Sequence, residues 1–147
     1  LVKGNPVEDV PVLGRVHQES VLGDVFRCSK TASRWKLEYA LREMDKAGCG
    51  VLVYLQKPAP RLSNDIARIA GGPFPEPPPP PDQGAIGLPR SLREFGIGAQ
   101  ILVDQGARRL KLLASNPSRI KGIEGYGLEI VEHVPIPPEA AKKEEQS

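Results

Sequence analysis

The run GVLVYLQ at residues 50–56 most constrains the fold of this chain. It is apolar almost throughout and is bounded by glycine and proline, which is typical of a buried strand in a partly parallel sheet. The residues before it, 34–47, predict an amphipathic helix that has Ser33 as its N-cap and ends at Gly48. Its apolar face consists of Leu37, Ala40, Leu41 and Met44. A helix followed by a buried strand predicts an α/β fold, a mixed β-sheet flanked by helices.

Four other segments have the short apolar or alternating pattern of strands. They are residues 1–3, 12–17, 110–113 and 128–134. A length of 147 residues suits a single domain with a sizeable core. We expect an N-terminal part at 1–70, a proline-rich connector at 71–84, a C-terminal part of the same domain at 85–136 and a disordered tail at 137–147.

Ser91 and Glu94 form an S-x-x-E capping box, which predicts the start of a second long helix that ends at Gly106. Its inward face is predicted to consist of Ile97, Ile101 and Leu102.

Two shorter helices are predicted at about residues 63–70 and 117–124. The first has Ser63 as its cap and turns Ile66 and Ile69 inward.

The connector at 71–84 contains seven prolines, which predict an exposed, polyproline-like conformation. It either docks in an aromatic-lined groove of a partner or serves as a stiff linker.

Composition limits the kinds of partner. The chain has a net charge of +2 and no apolar run that could span a bilayer, which argues against nucleic-acid and membrane partners. Cys28 and Cys49 are expected to be free thiols in a reducing compartment. Because the sequence opens with Leu1 rather than methionine, we expect a fragment of a longer polypeptide.

The segment from Gly14 to Leu41 reads GRVHQESVLGDVFRCSKTASRWKLEYAL. It resembles the zinc segment of the GTP cyclohydrolase II family, whose pattern is roughly RVHSECxTGDxFGSxRCDCGxQLxxAL. In an alignment without gaps, the three cysteine positions of that pattern fall on Ser20, Thr31 and Ser33. Proteins hold zinc with thiolate, imidazole or carboxylate groups, and a neutral hydroxyl is a poor donor to it. The resemblance therefore predicts a segment that has lost its metal, with no cofactor.

A second alignment pairs Arg27 and Cys28 with the RCDC of the family pattern. It requires a deletion and an insertion, and it places Ser20 and Lys30 in ligand positions. At most one thiolate remains in either alignment, so both predict that the family zinc is lost.

Residues 91–136 resemble the family pattern DxRxYGIGAQILxDLGVRxxxLLTNNPxKxxxLxGYGLxIVxRVPL almost throughout. The resemblance is weak between Gln56 and Arg90, where a glycine-rich loop and a catalytic tyrosine of the family are replaced. The fold implied for the whole chain is that of GTP cyclohydrolase II.

The resemblance also implies a chemistry. In the family, zinc activates water to open the guanine ring and release formate, and an arginine is the proposed nucleophile at the α-phosphate, releasing pyrophosphate. That arginine position is Arg93, the candidate catalytic residue. The neighbouring aspartate position is Ser91, and the threonine of LLTNNP is Ala114. Candidate substrate-binding residues are Arg15, Glu19 and Arg119.

These substitutions predict a degenerate domain of a riboflavin-biosynthesis protein, without zinc or ring opening, that acts as a structural or regulatory module. Arg15, Arg93 and Arg119 could still bind a GTP-like nucleotide weakly through its phosphates. The alternatives are residual triphosphate cleavage by Arg93, or a scaffold that uses the proline-rich run.

The resemblance implies partners as well. We expect a homodimer or larger assembly and a covalently linked 3,4-dihydroxy-2-butanone-4-phosphate synthase domain, because LVKG at the start resembles the sequence after that junction. The compartment would be the plastid in a plant or alga and the cytoplasm in a bacterium.

Overall fold

The computed structural model describes residues 1–7, 9–56, 62–71, 90–115 and 127–138, without the side chains of 63–65, 68 and 90–95. The strands are β1 (Val2–Lys3), β2 (Val12–Gln18), β3 (Gly50–Leu55), β4 (Arg109–Ala114) and β5 (Glu129–Pro135). The helices are α1 (Ser33–Ala47), α2 (Leu62–Ala70) and α3 (Arg90–Asp104), and a π-helical turn occupies Val21–Val25.

The described strands form one five-stranded sheet in the order β1-β3-β2-β4-β5. β1 is antiparallel to β3, and the other neighbouring pairs are parallel. Parallel neighbours need a crossover, and α1 provides it between β2 and β3. The predicted α/β fold with a mixed sheet is thus confirmed. The carboxyl ends of β2 and β3 lie at the same edge, because Gln18 pairs with Leu55.

The bounds of helix α1 agree with the prediction except at the first residue, but Leu41 of its predicted apolar face is 40% exposed. Gly48 ends it in the left-handed conformation, with φ of 71°. The predicted cap is wrong: Ala32 is the N-cap, it makes no side-chain cap hydrogen bond, and Ser33 is the first helical residue. The Ser33 hydroxyl lies instead 3.2 Å from Nε2 of His17 on β2.

Apolar side chains pack on both faces of the sheet. Along β3, Val51 and Val53 join a core cluster that includes Leu102 of α3. Leu52 joins a second cluster with Ala40 and Met44 of α1. Because successive side chains of a strand point to opposite faces, the helices cover the two sides of the sheet. The continuous apolar run that predicted β3 reflects this burial on both faces.

The predicted inward face of α3 is partly wrong. Leu102 is buried, but Ile97 is 54% exposed and Ile101 39% exposed. The buried face consists largely of small residues instead, because α3 approaches β2 closely. A Cβ built on Gly98 would lie 2.9 Å from each Val16 methyl, and Ala99 beside it is fully buried.

Ile66 was predicted to point inward from α2, but it is 50% exposed, so that prediction is also wrong. Ile69 is half-buried.

The predictions for residues 72–84, 117–124 and 139–147 concern parts of the chain outside the described residues. Among the helices that are described, none is both long and apolar enough to cross a membrane.

Candidate functional site

The candidate site lies where β2 and β3 end and α1 begins. β2 contributes His17, β3 contributes Tyr54, and α1 contributes Ser33. Between β2 and α1, the π-helical turn places Asp24 beneath this edge of the sheet, with Ser20 as the turn's N-cap. The topology thus gathers polar side chains at the carboxyl ends of neighbouring parallel strands, which is where open α/β sheets commonly bind ligands.

The three predicted ligand positions surround a single point beside Gly23. A Cβ built on Gly23 would lie 3.2 Å from Ser20 Oγ and 2.8 Å from Ser33 Cβ, and closer still to Thr31 Oγ1. Residues that are far apart in sequence therefore meet in space, as the alignment without gaps requires. Only glycine fits at this position without displacing the hydroxyl-bearing side chains.

Each of the three hydroxyls bonds to the protein. Ser20 Oγ accepts a hydrogen bond from the Gly23 N–H at 3.3 Å, and Thr31 Oγ1 donates to the Cys28 carbonyl at 3.2 Å. Ser33 Oγ lies 3.2 Å from Nε2 of His17. These neutral oxygens stand at the three positions where the family pattern has cysteines, and a neutral hydroxyl is a poor donor to zinc.

The second alignment does not complete a metal site either. Lys30 Nζ carries a positive charge and donates to the Ile69 carbonyl at 3.4 Å. Cys28 is a half-buried free thiol. Within the described residues, no group of three or more His, Cys, Asp and Glu side chains could hold a metal ion. The donor set at this edge of the sheet does not fit the family zinc.

Beneath the hydroxyls lies a buried network of charged and polar side chains. Arg15, His17 and Asp24 are 7%, 2% and 8% exposed. Arg15 Nη1 donates to the Leu113 carbonyl at 3.1 Å, and Nη2 lies 3.2 Å from Nδ1 of His17. Since a guanidinium can only donate, Nδ1 must accept, and the imidazole carries its proton on Nε2. His17 is therefore fixed in one tautomer.

The Asp24 carboxylate is the hydrogen-bond acceptor shared by several groups of the site. Its Oδ2 lies 3.1 Å from His17 Nε2 and accepts from the Ser20 N–H at 3.0 Å and from the Tyr54 hydroxyl at 2.8 Å. Oδ1 is buried without a hydrogen-bond partner within the described structure. Burial is the largest influence and raises the pKa of Asp24, but the hydrogen bonds from Ser20, Ser33 and Tyr54 outweigh it and lower that pKa below its usual value.

The other members of the network are shifted by burial as well. Burial, followed by the positive charge of Arg15, lowers the pKa of His17 and keeps the imidazole neutral. Burial also lowers the pKa of Arg15 to about 10, although the charge of Asp24 opposes this. Burial and the hydrogen bond to Asp24 raise the pKa of Tyr54, so its hydroxyl remains a donor. The site is thus a neutral imidazole between a buried cation and a buried anion.

The predicted catalytic and substrate-binding residues are distributed unevenly. Arg15 points inward, and a phosphate could reach it only if the surrounding residues moved. Glu19 is half-buried where its N–H donates to the Leu55 carbonyl at 2.9 Å. Arg93 lies in the first turn of α3, but its side chain is outside the described part of the structure. Arg119 lies outside it entirely. Convergence of these residues on a nucleotide stays a prediction.

Sequence reasoning missed Asp24 and Tyr54 as members of the site. Asp24 had a signal, because the GD of the family pattern falls on Gly23 and Asp24. Tyr54 is the only residue with a polar side chain between Gly50 and Leu55. Their partners lie 7 and 30 residues away in sequence, and no local pattern indicates such pairs.

Comparison with known proteins agrees with this geometry. The profile of the GTP cyclohydrolase II family matches residues 1–135. The chain belongs to the GTP cyclohydrolase II family.

Three relatives of this GTP cyclohydrolase II family member are riboflavin biosynthesis proteins named RibBA. The protein of Aquifex aeolicus is 44% identical over 92% of this chain and 34% of its own length. That of Chlorobium phaeovibrioides is 40% identical over 97% of this chain and 35% of its own. That of Bacillus cytotoxicus is 38% identical over 92% of this chain and 34% of its own length. The chain therefore spans about a third of the length of these curated relatives.

Proposed function

We propose that this chain is a GTP cyclohydrolase II-like domain of a riboflavin-biosynthesis protein that has lost zinc and ring opening. It serves as a structural or regulatory module and binds a GTP-like nucleotide weakly. The observation that carries the proposal is the meeting of Ser20, Thr31 and Ser33 beside Gly23, each as a neutral hydroxyl and each hydrogen-bonded to the protein.

The loss of ring opening follows from the chemistry of water. Zinc lowers the pKa of a bound water to about 7, which supplies a hydroxide nucleophile at neutral pH. His17 cannot take over as a general base, because its Nδ1 faces Arg15 and its Nε2 already carries a proton. Asp24 is 8% exposed, and its Oδ2 already accepts from the Ser20 N–H and the Tyr54 hydroxyl.

Nucleotide binding without turnover would use residues in the positions of family phosphate contacts. Arg93 and Arg119 carry guanidinium groups whose forked donors suit phosphate oxygens. Glu19 occupies the position of a family glutamate at the rim of the site. Arg15 would contribute only after the network around His17 rearranged, since both of its terminal nitrogens are engaged.

The setting of the domain is part of the proposal. Its relatives are about three times longer than the matched region, which agrees with a linked domain that performs another step of riboflavin synthesis. The family resemblance names that domain as a 3,4-dihydroxy-2-butanone-4-phosphate synthase. We propose a homodimer in the plastid or the cytoplasm, depending on the source.

Metal analysis and a split activity assay test the proposal. The purified chain is analysed for zinc and then incubated with GTP and zinc, and formate and pyrophosphate are measured separately. We expect neither bound zinc nor formate. Stoichiometric zinc, or zinc-dependent formate release, would refute the proposal.

The same assay identifies the alternative enzyme. Pyrophosphate without formate, lost in Arg93→Ala, would show residual triphosphate cleavage by Arg93. Arg93→Lys is the matched variant, because it retains the positive charge but not the guanidinium nucleophile. Loss of pyrophosphate in both variants would assign the cleavage to the guanidinium itself.

A further inference from the structure

We infer that His17, Asp24, Ser33 and Tyr54 form a polar clamp that holds the site loop, residues 19–32, against the sheet without any metal. The inference rests on the proposed function in one respect: it takes the clamp, and not a zinc ion among Ser20, Thr31 and Ser33, to hold the loop.

The clamp joins four separate elements at one carboxylate. Asp24 belongs to the site loop, and the side chains around it come from β2, α1 and β3. His17 Nε2 lies 3.1 Å and the Tyr54 hydroxyl 2.8 Å from Oδ2 of Asp24. Ser33 Oγ lies 3.2 Å from the same imidazole nitrogen. A single buried side chain of the loop is thus bound to both strands that flank the site and to the helix that follows it.

The backbone of Asp24 is hydrogen-bonded as well as its side chain. Arg34 Nη1 donates to the Asp24 carbonyl at 2.9 Å, and the Arg34 side chain is fixed by an ion pair with Glu38 at 2.7 Å. The site loop is therefore fastened at its middle by both the side chain and the main chain of one residue. Its first residue, Glu19, is fastened to β3 through the Leu55 carbonyl.

Charge balance explains how a carboxylate can serve as a buried anchor. Arg15 lies below His17 and Asp24 lies above it, so a neutral imidazole bridges a buried cation and a buried anion. An isolated buried charge would be strongly unfavourable, whereas a paired and hydrogen-bonded one is tolerated. The chain holds the positive member itself and requires no metal ion to neutralise Asp24.

The loop needs such a fastening because its backbone is unusual. It contains the π-helical turn at Val21–Val25, and Arg27 adopts a φ of 56°, which L side chains rarely do. Val25 and Phe26 are each 65% exposed and supply little burial to hold the turn. Val21 and Leu22 are only half-buried, so polar contacts to Asp24 add to limited apolar packing in holding the loop.

Amide hydrogen exchange of the full chain tests the clamp. In the wild type we expect the amides of residues 20–26 to be protected equally with and without a zinc chelator. Tyr54→Phe removes one donor while keeping the ring, and should speed their exchange about tenfold; Asp24→Asn should speed it further. Tyr39→Phe on α1 and Asp45→Asn, which is exposed, are the matched controls and should leave these amides unchanged.

The protonation of His17 gives a readout that loss of packing alone would not produce. Nitrogen-15 NMR of the wild type near neutral pH should show a neutral ring protonated on Nε2, and Tyr54→Phe should retain that tautomer, because Arg15 still donates to Nδ1. A wild-type ring protonated on Nδ1, or loop amides that lose protection when a chelator is added, would overturn the clamp. Bound zinc with chelator-independent protection would instead refute the proposed function and leave the clamp intact.

Discussion

Ser33 Oγ lies 3.2 Å from Nε2 of His17, so a residue in a metal-ligand position of its family is bonded to the protein itself. A thiolate at this position would offer electron pairs to a metal. The hydroxyl accepts from an imidazole N–H whose proton is fixed there by Arg15 on the opposite nitrogen. In this chain the residue at that position connects α1 to β2.

Restoring the thiolates should restore zinc. Serine and cysteine have nearly the same shape, and the three positions already meet beside Gly23. We expect the triple variant Ser20→Cys, Thr31→Cys, Ser33→Cys to retain about one zinc per chain after dialysis, whereas the wild type retains none. Metal analysis of the dialysed proteins measures this. The triple alanine variant at the same positions is the control, and a zinc-free cysteine variant would mean that the three side chains do not converge.

Stability should fall as the pH is lowered through about 6.5 because of His17. Its pKa is lowered in the folded protein from an ordinary value of 6.5. Below that value the unfolded chain takes up a proton that the folded chain does not, so each pH unit should cost up to about 1.4 kcal/mol of unfolding free energy until the folded pKa is reached. Urea unfolding at several pH values measures the slope.

Two variants isolate the contribution of His17. The chain has two histidines, and the other, His133, is exposed on β5. His17→Gln should flatten the slope below about pH 6.5, and His133→Gln should leave it unchanged. Asp24 does not interfere, because its pKa is lowered from 3.8 and its contribution is lost only below that value. An unchanged slope in His17→Gln would contradict the assignment.

Much of this structure could be predicted from sequence, and the errors have physical causes. α1 and β3 were predicted because their periodicity and burial agree along the chain. The inward face of α3 was not, because Gly98 and Ala99 set it by allowing close approach to β2, and apolar patterns give weight to larger residues such as Ile97.

The candidate site, too, could be predicted from the sequence only in part. Sequence alignment assigned Ser20, Thr31 and Ser33 to the family cysteine positions, because the family spacing survives although the cysteines do not. The clamp around Asp24 was not predicted, because its hydrogen bonds join residues whose partners are set only by the crossover from β2 to β3. The sequence pattern therefore identified the positions of the family metal ligands, but it did not identify the hydrogen-bond network around Asp24.

Removing Arg15, which was predicted to bind substrate, should be strongly destabilising because it is a buried member of the network around His17. Arg15→Met keeps much of the buried length but leaves the Leu113 carbonyl without its donor and Asp24 without its balancing charge. Breaking a buried charge pair in this way costs about 3 kcal/mol of unfolding free energy. Arg42→Met on the exposed face of α1 is the control, with an expected loss of about 1 kcal/mol from its contact with Trp35. Equal losses in the two variants, measured by denaturant unfolding, would contradict a structural role for Arg15.

The close approach of α3 to β2 predicts a coupled pair of variants. A Cβ at position 98 would lie 2.9 Å from both methyl carbons of Val16, and a β-branched side chain cannot easily turn away. Gly98→Ala should therefore reduce the unfolding free energy by about 1–3 kcal/mol, despite the higher helix propensity of alanine. Gln100→Ala, at an exposed position of the same helix, is the control and should change it by less than about 0.5 kcal/mol.

Val16→Ala should remove the two methyl carbons with which the Cβ of Gly98→Ala would clash. The double variant should then lose less than the sum of the two single losses, by about 1 kcal/mol in a double-mutant cycle measured by denaturant unfolding. Strictly additive losses would mean that α3 does not approach β2 at Gly98. A stabilising Gly98→Ala would mean the same, because the propensity of alanine would then act without a clash to oppose it.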